Sequence, residues 1–546
     1  MGNAAGSAGG HSAQSRALAL TSSPTGLAVL VGTVLSLVYL RWSPLSPDLA
    51  AQVARSEVVR RAGNVSWWTG WFGGVSLPSY SLIAPASMAA FGVRACGLVA
   101  AFAGAVGASV LVRDALRPRA GAIVFAIASI ADLMAGRITF VMGLTVGVWA
   151  LVALRSRWAV LTAVLAVATY LASPLAGLFL GLILLAVVVV DRDRRTAAAV
   201  AAACLLAFGG VMAVLFPDTG VMPFTLSTAV PPAVCCLVVA TACPQRHVRV
   251  SALLLLAALP VFLVVPGAVG GNVARLAWVA AVPVIVACGP LSPRRLAAAI
   301  LVLVAWPASD LVEQLMAAAT PSASRAYYQP LADHVHAVQQ AAGPAAFGER
   351  VEVVDTKNHF ASVYLSGSVA LARGWDRQAD VADNQLFYVR GQLTAASYHD
   401  WLKQLAVGWV ALPAARLDYA SQAEGRLVNS GLDYLTLAWS DPHWRLYRVA
   451  DATPLARGAT VTAVSTTGIT LATDQRSTID LRVRWSNYLT VIDPTTLQPL
   501  PACISDAAGW TRLTLPARET VVLTSRFDPR ARFRSANPDC SHDIGR

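Results

Sequence analysis

Apolar runs dominate the first 315 residues and short alternating runs dominate the rest. A bilayer-spanning helix needs about 20 apolar residues, or about 17 at the short end. The pattern predicts eleven helices, near residues 25–42, 95–112, 119–135, 139–154, 157–172, 174–190, 196–215, 228–244, 250–267, 274–290 and 295–313. Ser173-Pro174 separates two of them. The apolar stretch Tyr80–Val93 is read as interfacial or re-entrant, because a full crossing there would invert every later loop. After residue 320 the periodicity changes. Residues 325–450 mix amphipathic helices with the β-rich runs VEVVD, SVYL, GWVALP and WRLYRV, which predicts an α/β region over 320–455. Residues 457–526 alternate with period two and carry turn signals about every 8–12 residues, the pattern of a β-sandwich, so 456–546 is expected to be a sandwich followed by an extended tail. The predicted fold is a polytopic α-helical membrane protein of about eleven spans, with a C-terminal α/β plus β-sandwich region.

Basic residues orient the helices. Arg113, Arg117 and Arg119 follow the second run, Arg155 and Arg157 the fourth, and Arg192, Arg194 and Arg195 the sixth. Arg246, His247 and Arg249 follow the eighth, and Arg294 and Arg295 the tenth. Every even-numbered exit is basic, so the positive-inside rule predicts a plasma-membrane protein with a cytoplasmic N-terminus and an exoplasmic C-terminal region. The Gly/Ala/Ser-rich residues 1–23 read as a disordered cytoplasmic tail, and 24–315 as the membrane domain with a long exoplasmic loop over 43–94.

Composition agrees: 56% of the 546 residues are hydrophobic and only 13% charged. The formal charge of +12 does not indicate a nucleic-acid partner, since many arginines stand singly or in small groups beside apolar runs. Six cysteines lie in or beside those runs without metal-type spacing. Cys503 and Cys540, the two beyond them, are expected to form a disulfide if that region is exported. The scattered histidines show no zinc spacing, so no metal is expected. No Walker A, GxSxG or dinucleotide fingerprint occurs, and no cofactor is expected.

The first loop concentrates candidate chemistry. Ser46-Pro47-Asp48 opens an amphipathic helix running to about Ala62; then come Trp67, Trp68, Trp71 and the Gly73-Gly74 pair. Trp-rich amphipathic segments favour the membrane–water interface, so the loop is expected to roof an outward-opening cavity. Asp48 has two compatible readings: a general base for an acceptor hydroxyl, or an acid favouring the helix dipole behind a Ser cap and Pro at the first position. Other polar residues are expected at the outer face: Asp132, Arg137, Asp218, Asn272, Arg275, Asp310 and Glu313. Arg275 suits a lipid phosphate or the interface, and Arg137 either a phosphate or neutralisation by Asp132. Asp218 reads as a solvated turn residue. Trp375, between Arg373 and Arg377, suits a sugar face, an internal salt-bridge cluster or a contact with the helical bundle.

Asp48, the helix through Arg61, Trp71, Gly73-Gly74, Pro78, Tyr80 and Pro85, followed by the ADLMAGR turn, resemble the GT-C superfamily of membrane glycosyltransferases. The similarity is nearest to the bacterial 6-pyruvoyl-tetrahydropterin synthase-related membrane proteins and covers the architecture of residues 25–315. The resemblance implies metal-independent, inverting transfer of a sugar from a polyprenyl-phosphate donor to an envelope glycan or lipid on the outer face, with Asp48 as base. Arg275 and Arg137 would hold the donor phosphate, and Trp71, Tyr80, Trp375 and Arg377 the acceptor glycan. The implied partners are membrane lipid, lipid-linked sugar and glycan. Many relatives carry an acidic pair. Here the next acid is Glu57, nine residues or about two and a half helical turns away, on nearly the opposite face. A lipid-linked-sugar transporter and a non-enzymatic envelope assembly protein are the competing readings.

Overall fold

The computed structural model describes residues 23–63, 66–217, 220–343, 348–366, 369–515 and 519–536. Nearly all of the N-terminal tail, Asp218 and Cys540 lie outside them. All eleven expected helices are present: Pro24–Trp42, Val93–Leu111, Pro118–Met134, Ile138–Arg155, Ala159–Ala172, Pro174–Val190, Arg195–Leu215, Leu226–Ala242, Arg246–Val264, Ala274–Cys288 and Pro293–Ala318. Among the described residues, seven helical stretches are long and apolar enough to cross a membrane, and three more are shorter. The chain is therefore a multi-pass α-helical membrane protein. The stretch Tyr80–Val93 yields only the eight-residue helix Ala84–Phe91 before Gly92 turns the chain at φ 89°. Eight residues rise about 12 Å, too little for a crossing.

The chain divides into two compact units, one of Met1–Pro44, Phe91–Val211 and Pro223–Leu315, the other of Leu45–Ala90, Met212–Met222 and Met316–Arg546. In the first, helices approach through small residues, as apolar helices must where packing rather than solvent exclusion drives association. A Cβ at Gly121 would fall 2.6 Å from Ala287, and one at Gly143 would fall 2.5 Å from Ser173. Several predicted anchor arginines satisfy carbonyls at neighbouring helix ends, where orphan acceptors and the negative pole of the dipole both favour them. Arg117 donates to the carbonyls of Gly289 at 2.8 Å and Leu291 at 3.0 Å, and Arg155 to that of Leu111 at 2.9 Å. Arg194 reaches the Arg155 carbonyl at 3.5 Å. The exits of the second, fourth, sixth and tenth spans thus share one end of this unit.

The second unit contains three sheets. Strands β1 (Arg350–Val353), β2 (Val407–Pro413), β3 (Leu435–Ser440) and β4 (Trp444–Val449) form a mixed sheet in the order β1-β2-β4-β3, with β1 and β2 parallel. The run SVYL, expected to be extended, is instead the short helix Ala361–Tyr364. Ala361, Ser362 and Leu365 are buried while Val363 and Tyr364 are only half-buried, a helical rather than an alternating spacing. Beyond these lie β5 (Ala456–Arg457), β6 (Thr460–Val464), β7 (Gly468–Ala472), β8 (Ser477–Arg484), β9 (Leu489–Ile492), β10 (Cys503–Ala507), β11 (Trp510–Leu515) and β12 (Thr520–Ser525). They make two four-stranded sheets, β10-β11-β8-β5 and β6-β7-β12-β9. Ile479, Leu481 and Val483 of β8 point inward in alternation to meet Leu471, Val491, Leu513 and Leu523. Cys503 is disulfide-bonded.

A charged network lies inside the α/β region. Arg373 donates to both oxygens of Asp380 at 3.1 and 3.0 Å and to Glu424 at 3.1 Å. Tyr398 adds a bond to Glu424 at 2.8 Å, and Asn384 one to Asp380 at 2.9 Å. Glu352, fully buried, stands 3.5 Å from Arg373 and shares a hydrogen bond with the Glu424 carboxyl. Burial, then the neighbouring Glu424, holds the Glu352 carboxyl well above the usual carboxylate range, against the pull of Arg373.

Candidate functional site

The first loop folds with the C-terminal regions in the second unit, and not as part of the helical unit. Its helix, Pro47–Ala62, begins as the sequence dictates: Ser46 is extended, Pro47 takes the first helical position, Asp48 lies in the first turn, and Gly63 ends it at φ 70°. The Ser46 hydroxyl, though buried, makes no capping bond. The start of the helix is held from outside instead. The indole N–H of Trp375 donates to the Pro47 carbonyl at 2.9 Å, one residue before Asp48. Eight residues on, Arg55 pairs with Asp376 at 2.5 Å. Its guanidinium lies 3.9 Å from the Tyr80 ring centroid and 5.5 Å from that of Trp71. Adjacent residues of the α/β region therefore grip the loop helix at two points.

Trp375 is itself braced. Its ring stacks on His359 at 3.3 Å between centroids and 9° between planes. His359 Nδ1 lies 2.5 Å from Asp355, and Nε2 lies 3.7 Å from Asp418. Arg377 donates to Asp418 and to the Tyr388 hydroxyl, each at 2.9 Å. Burial alone would raise the Asp418 carboxyl, but Arg377 and His359 outweigh it and bring it to about 2. Trp375 and Arg377 thus sit in the internal cluster that the sequence offered as their alternative, because burial demands that the Arg377 charge be paired. Sequence reasoning missed His359, Asp355 and Asp418: no metal or triad spacing marks them, and the positive φ of His359 (60°) is a tertiary feature.

The tryptophans expected at the membrane interface are inside the protein. Trp67, Trp68 and Trp71 are 6%, 1% and 0% exposed. Trp68 and Trp71 pack with centroids 4.5 Å apart, and Gly374 lies so close that a Cβ there would fall 2.1 Å from the Trp71 ring. Trp67 enters the sandwich core. The Gly73-Gly74 pair has a packing reason: both adopt positive φ, and a Cβ at Gly74 would meet the Trp67 indole at 2.3 Å. Arg484 of β8 bonds the carbonyls of Phe72 and Gly73 at 2.8 and 2.9 Å. Trp71 is accordingly a packing residue, with no ring face open to a glycan. Tyr80 is half-buried, and its hydroxyl accepts from Gln52 at 2.7 Å. Glu57 pairs with Arg60 and Arg61, so it is no second carboxylate to Asp48.

The helical unit gathers its own charges. Arg137 bonds Asp132 at 3.3 Å and also Asp310, and lies 5.4 Å from the Trp278 ring. Arg275, half-buried, is a further charge neighbour of Asp132 and lies 5.9 Å from the Phe140 ring. Four of the polar residues expected at one face are thus brought together, two of each sign.

No family model matches this chain, and no curated protein matches it. Among solved structures it is similar to the arabinofuranosyltransferase AftD from Mycobacteria, determined by single-particle cryo-EM. The two are 16% identical with a TM-score of 0.40, over 79% of this chain and 42% of that one. This chain thus spans about two-fifths of the length of its neighbour.

Proposed function

We propose that this protein is a GT-C-type membrane glycosyltransferase, moving a sugar from a polyprenyl-phosphate donor to an envelope glycan or lipid at the outer face. The observation that carries the reading is the clamped start of the loop helix. A residue acting only as a helix cap needs no external support, whereas a general base must be held in place to act. In this mechanism Asp48 takes the proton of the acceptor hydroxyl. The oxygen attacks the anomeric carbon, and the bond from that carbon to the phosphate oxygen breaks. Polyprenyl phosphate leaves with the electron pair, and the configuration inverts. Within the helical unit, Arg275 is the residue proposed to bind a lipid phosphate. Arg137, already shared by Asp132 and Asp310, would join only by loosening one of them. Tyr80, Trp375 and Arg377 are proposed to border the acceptor path, with the last two acting mainly through the loop helix.

The test is transfer from a panel of labelled polyprenyl-phosphate sugars to envelope extract, in membranes carrying wild type or Asp48→Asn. Transfer that disappears in the variant at equal protein level is the expected result. No transfer from any donor would sink the enzyme reading and favour an assembly role. Equal transfer by both would remove Asp48 from the mechanism.

A further inference from the structure

We infer that the segment Arg526–Arg534, which closes the β-sandwich, is a membrane anchor that docks on the anionic phospholipid headgroups of the bilayer this chain spans. Its position comes from the helix it is bonded to. Arg195–Leu215 has 21 residues and so rises about 31 Å, close to the hydrocarbon thickness of a bilayer, about 30 Å. The last turn of such a span lies at the hydrocarbon boundary, with carbonyls that lack helical partners. Two of these carbonyls are taken by the sandwich: Tyr488 Oη donates to Leu215 at 2.7 Å and Arg532 Nε to Val214 at 2.8 Å. Phe216, the next residue, stacks on Phe527 at 5.8 Å and lies 5.4 Å from Tyr488. Segment and helix end thus share one depth.

The segment is built to face outward there. Asp528 caps the single-turn helix Pro529–Phe533 by accepting from the Arg530 N–H at 2.9 Å, and Ala531 is buried beneath it. Phe533, in this helix, is 78% exposed, and Phe527, just before the cap, is 50% exposed. Two phenylalanines held in water would be a liability, whereas at the headgroup level their rings enter the apolar boundary. Arg526, Arg530, Arg532 and Arg534 stand against one acid, Asp528, which pairs with Arg534. That excess of positive charge complements anionic headgroups, and arginine side chains reach from an apolar layer to phosphates. At the end of the sandwich nearest this segment, β9 and β12 pair through Leu489 and Ser525.

The full chain, reconstituted in vesicles, tests this with a photoreactive benzoylphenylalanine replacing Phe533 and, in a second protein, Leu497. Leu497 is 67% exposed and follows the opposite end of β9. Vesicles of phosphatidylcholine alone and with phosphatidylglycerol are compared. Lipid adducts at 533, several-fold more abundant with phosphatidylglycerol and largely absent at 497, are expected. Arg526→Gln with Arg530→Gln is expected to abolish the phosphatidylglycerol dependence. Adducts formed only within the protein, or equally at both positions, would overturn the anchor. Equal adducts in the two vesicle types would overturn the assignment to anionic headgroups. Placing the photoreactive group at Phe527 repeats the test should the 533 protein fail to fold.

Discussion

The grip of Asp376 on Arg55 can be isolated by Asp376→Asn. Asparagine keeps the size and the capping ability of Asp376, whose carboxylate accepts from the backbone of Gln378 and Ala379 at 3.1 and 3.2 Å. What it removes is the negative charge facing a guanidinium 3% exposed, whose Nε already has no partner. A buried ion pair broken on one side costs about 3–5 kcal/mol, because the remaining charge is left uncompensated. The Tyr80 ring at 3.9 Å, worth about 2 kcal/mol for a desolvated cation over an aromatic face, is in contact before and after the substitution and so does not offset the loss. With about 1.4 kcal/mol per factor of ten, the loop helix should open roughly 100- to 4000-fold more often. Amide hydrogen exchange over residues 47–62 of the full chain in detergent reads this opening directly. Adding Arg55→Met should restore most of the protection, since it removes the buried guanidinium that the first substitution leaves uncompensated. Less than a tenfold fall in the single variant would refute the view that this pair holds the helix.

Two further outcomes follow from the same unit. Trp375→Phe removes the 2.9 Å bond to Pro47 and keeps an aromatic ring against His359; it should cost only about 0.5–1.5 kcal/mol in stability. Transfer should nevertheless fall by up to about 100-fold, the effect of a catalytic group displaced by about 1 Å, and unchanged transfer with a lowered thermal midpoint would make the clamp merely structural. Glu352, an acid raised in the folded state, stays protonated where the unfolded chain ionises, so stability should decline as pH rises above about 4.3 and on towards its folded value. Glu352→Gln should flatten that decline and raise the thermal midpoint at pH 8, and a midpoint that drops there instead would show that Glu352 is ionised in the fold.

The membrane helices were legible because hydropathy is local: each run carries its own reason to be helical and apolar, whatever lies elsewhere. The sandwich strands were legible for a similar reason, since alternation in β8 or β12 reports one buried face. Strand β3 escaped because LTLAWS is largely exposed on both sides and has no buried face to announce. Trp67, Trp68 and Trp71 misled for a different reason. An indole suits a membrane interface and a protein core equally, and what decides between them here is Gly374, Arg484 and Ser525, some 300 to 460 residues away. The charge cluster in the helical unit lies between these cases. Its members could be named from their place at the helix ends, and Asp132 as a partner of Arg137, but not the second partner, Asp310.

The start of the loop helix shows where local rules stop being sufficient. Ser46-Pro47-Asp48 satisfies every sequence requirement for a capped N-terminus, and a reading confined to those residues has no need of anything more. Yet the Ser46 hydroxyl is buried and makes no capping bond, so the expected local device is present in type and absent in action. In its place a tryptophan more than 300 residues downstream, stacked on a histidine flanked by two aspartates, bonds the carbonyl beside Asp48. An isolated hydrogen bond of this kind adds little to the stability of a domain whose core is already formed. Its larger effect is on position, since it ties the first turn to a braced platform. Position, unlike stability, is what a base acting on a bound hydroxyl requires.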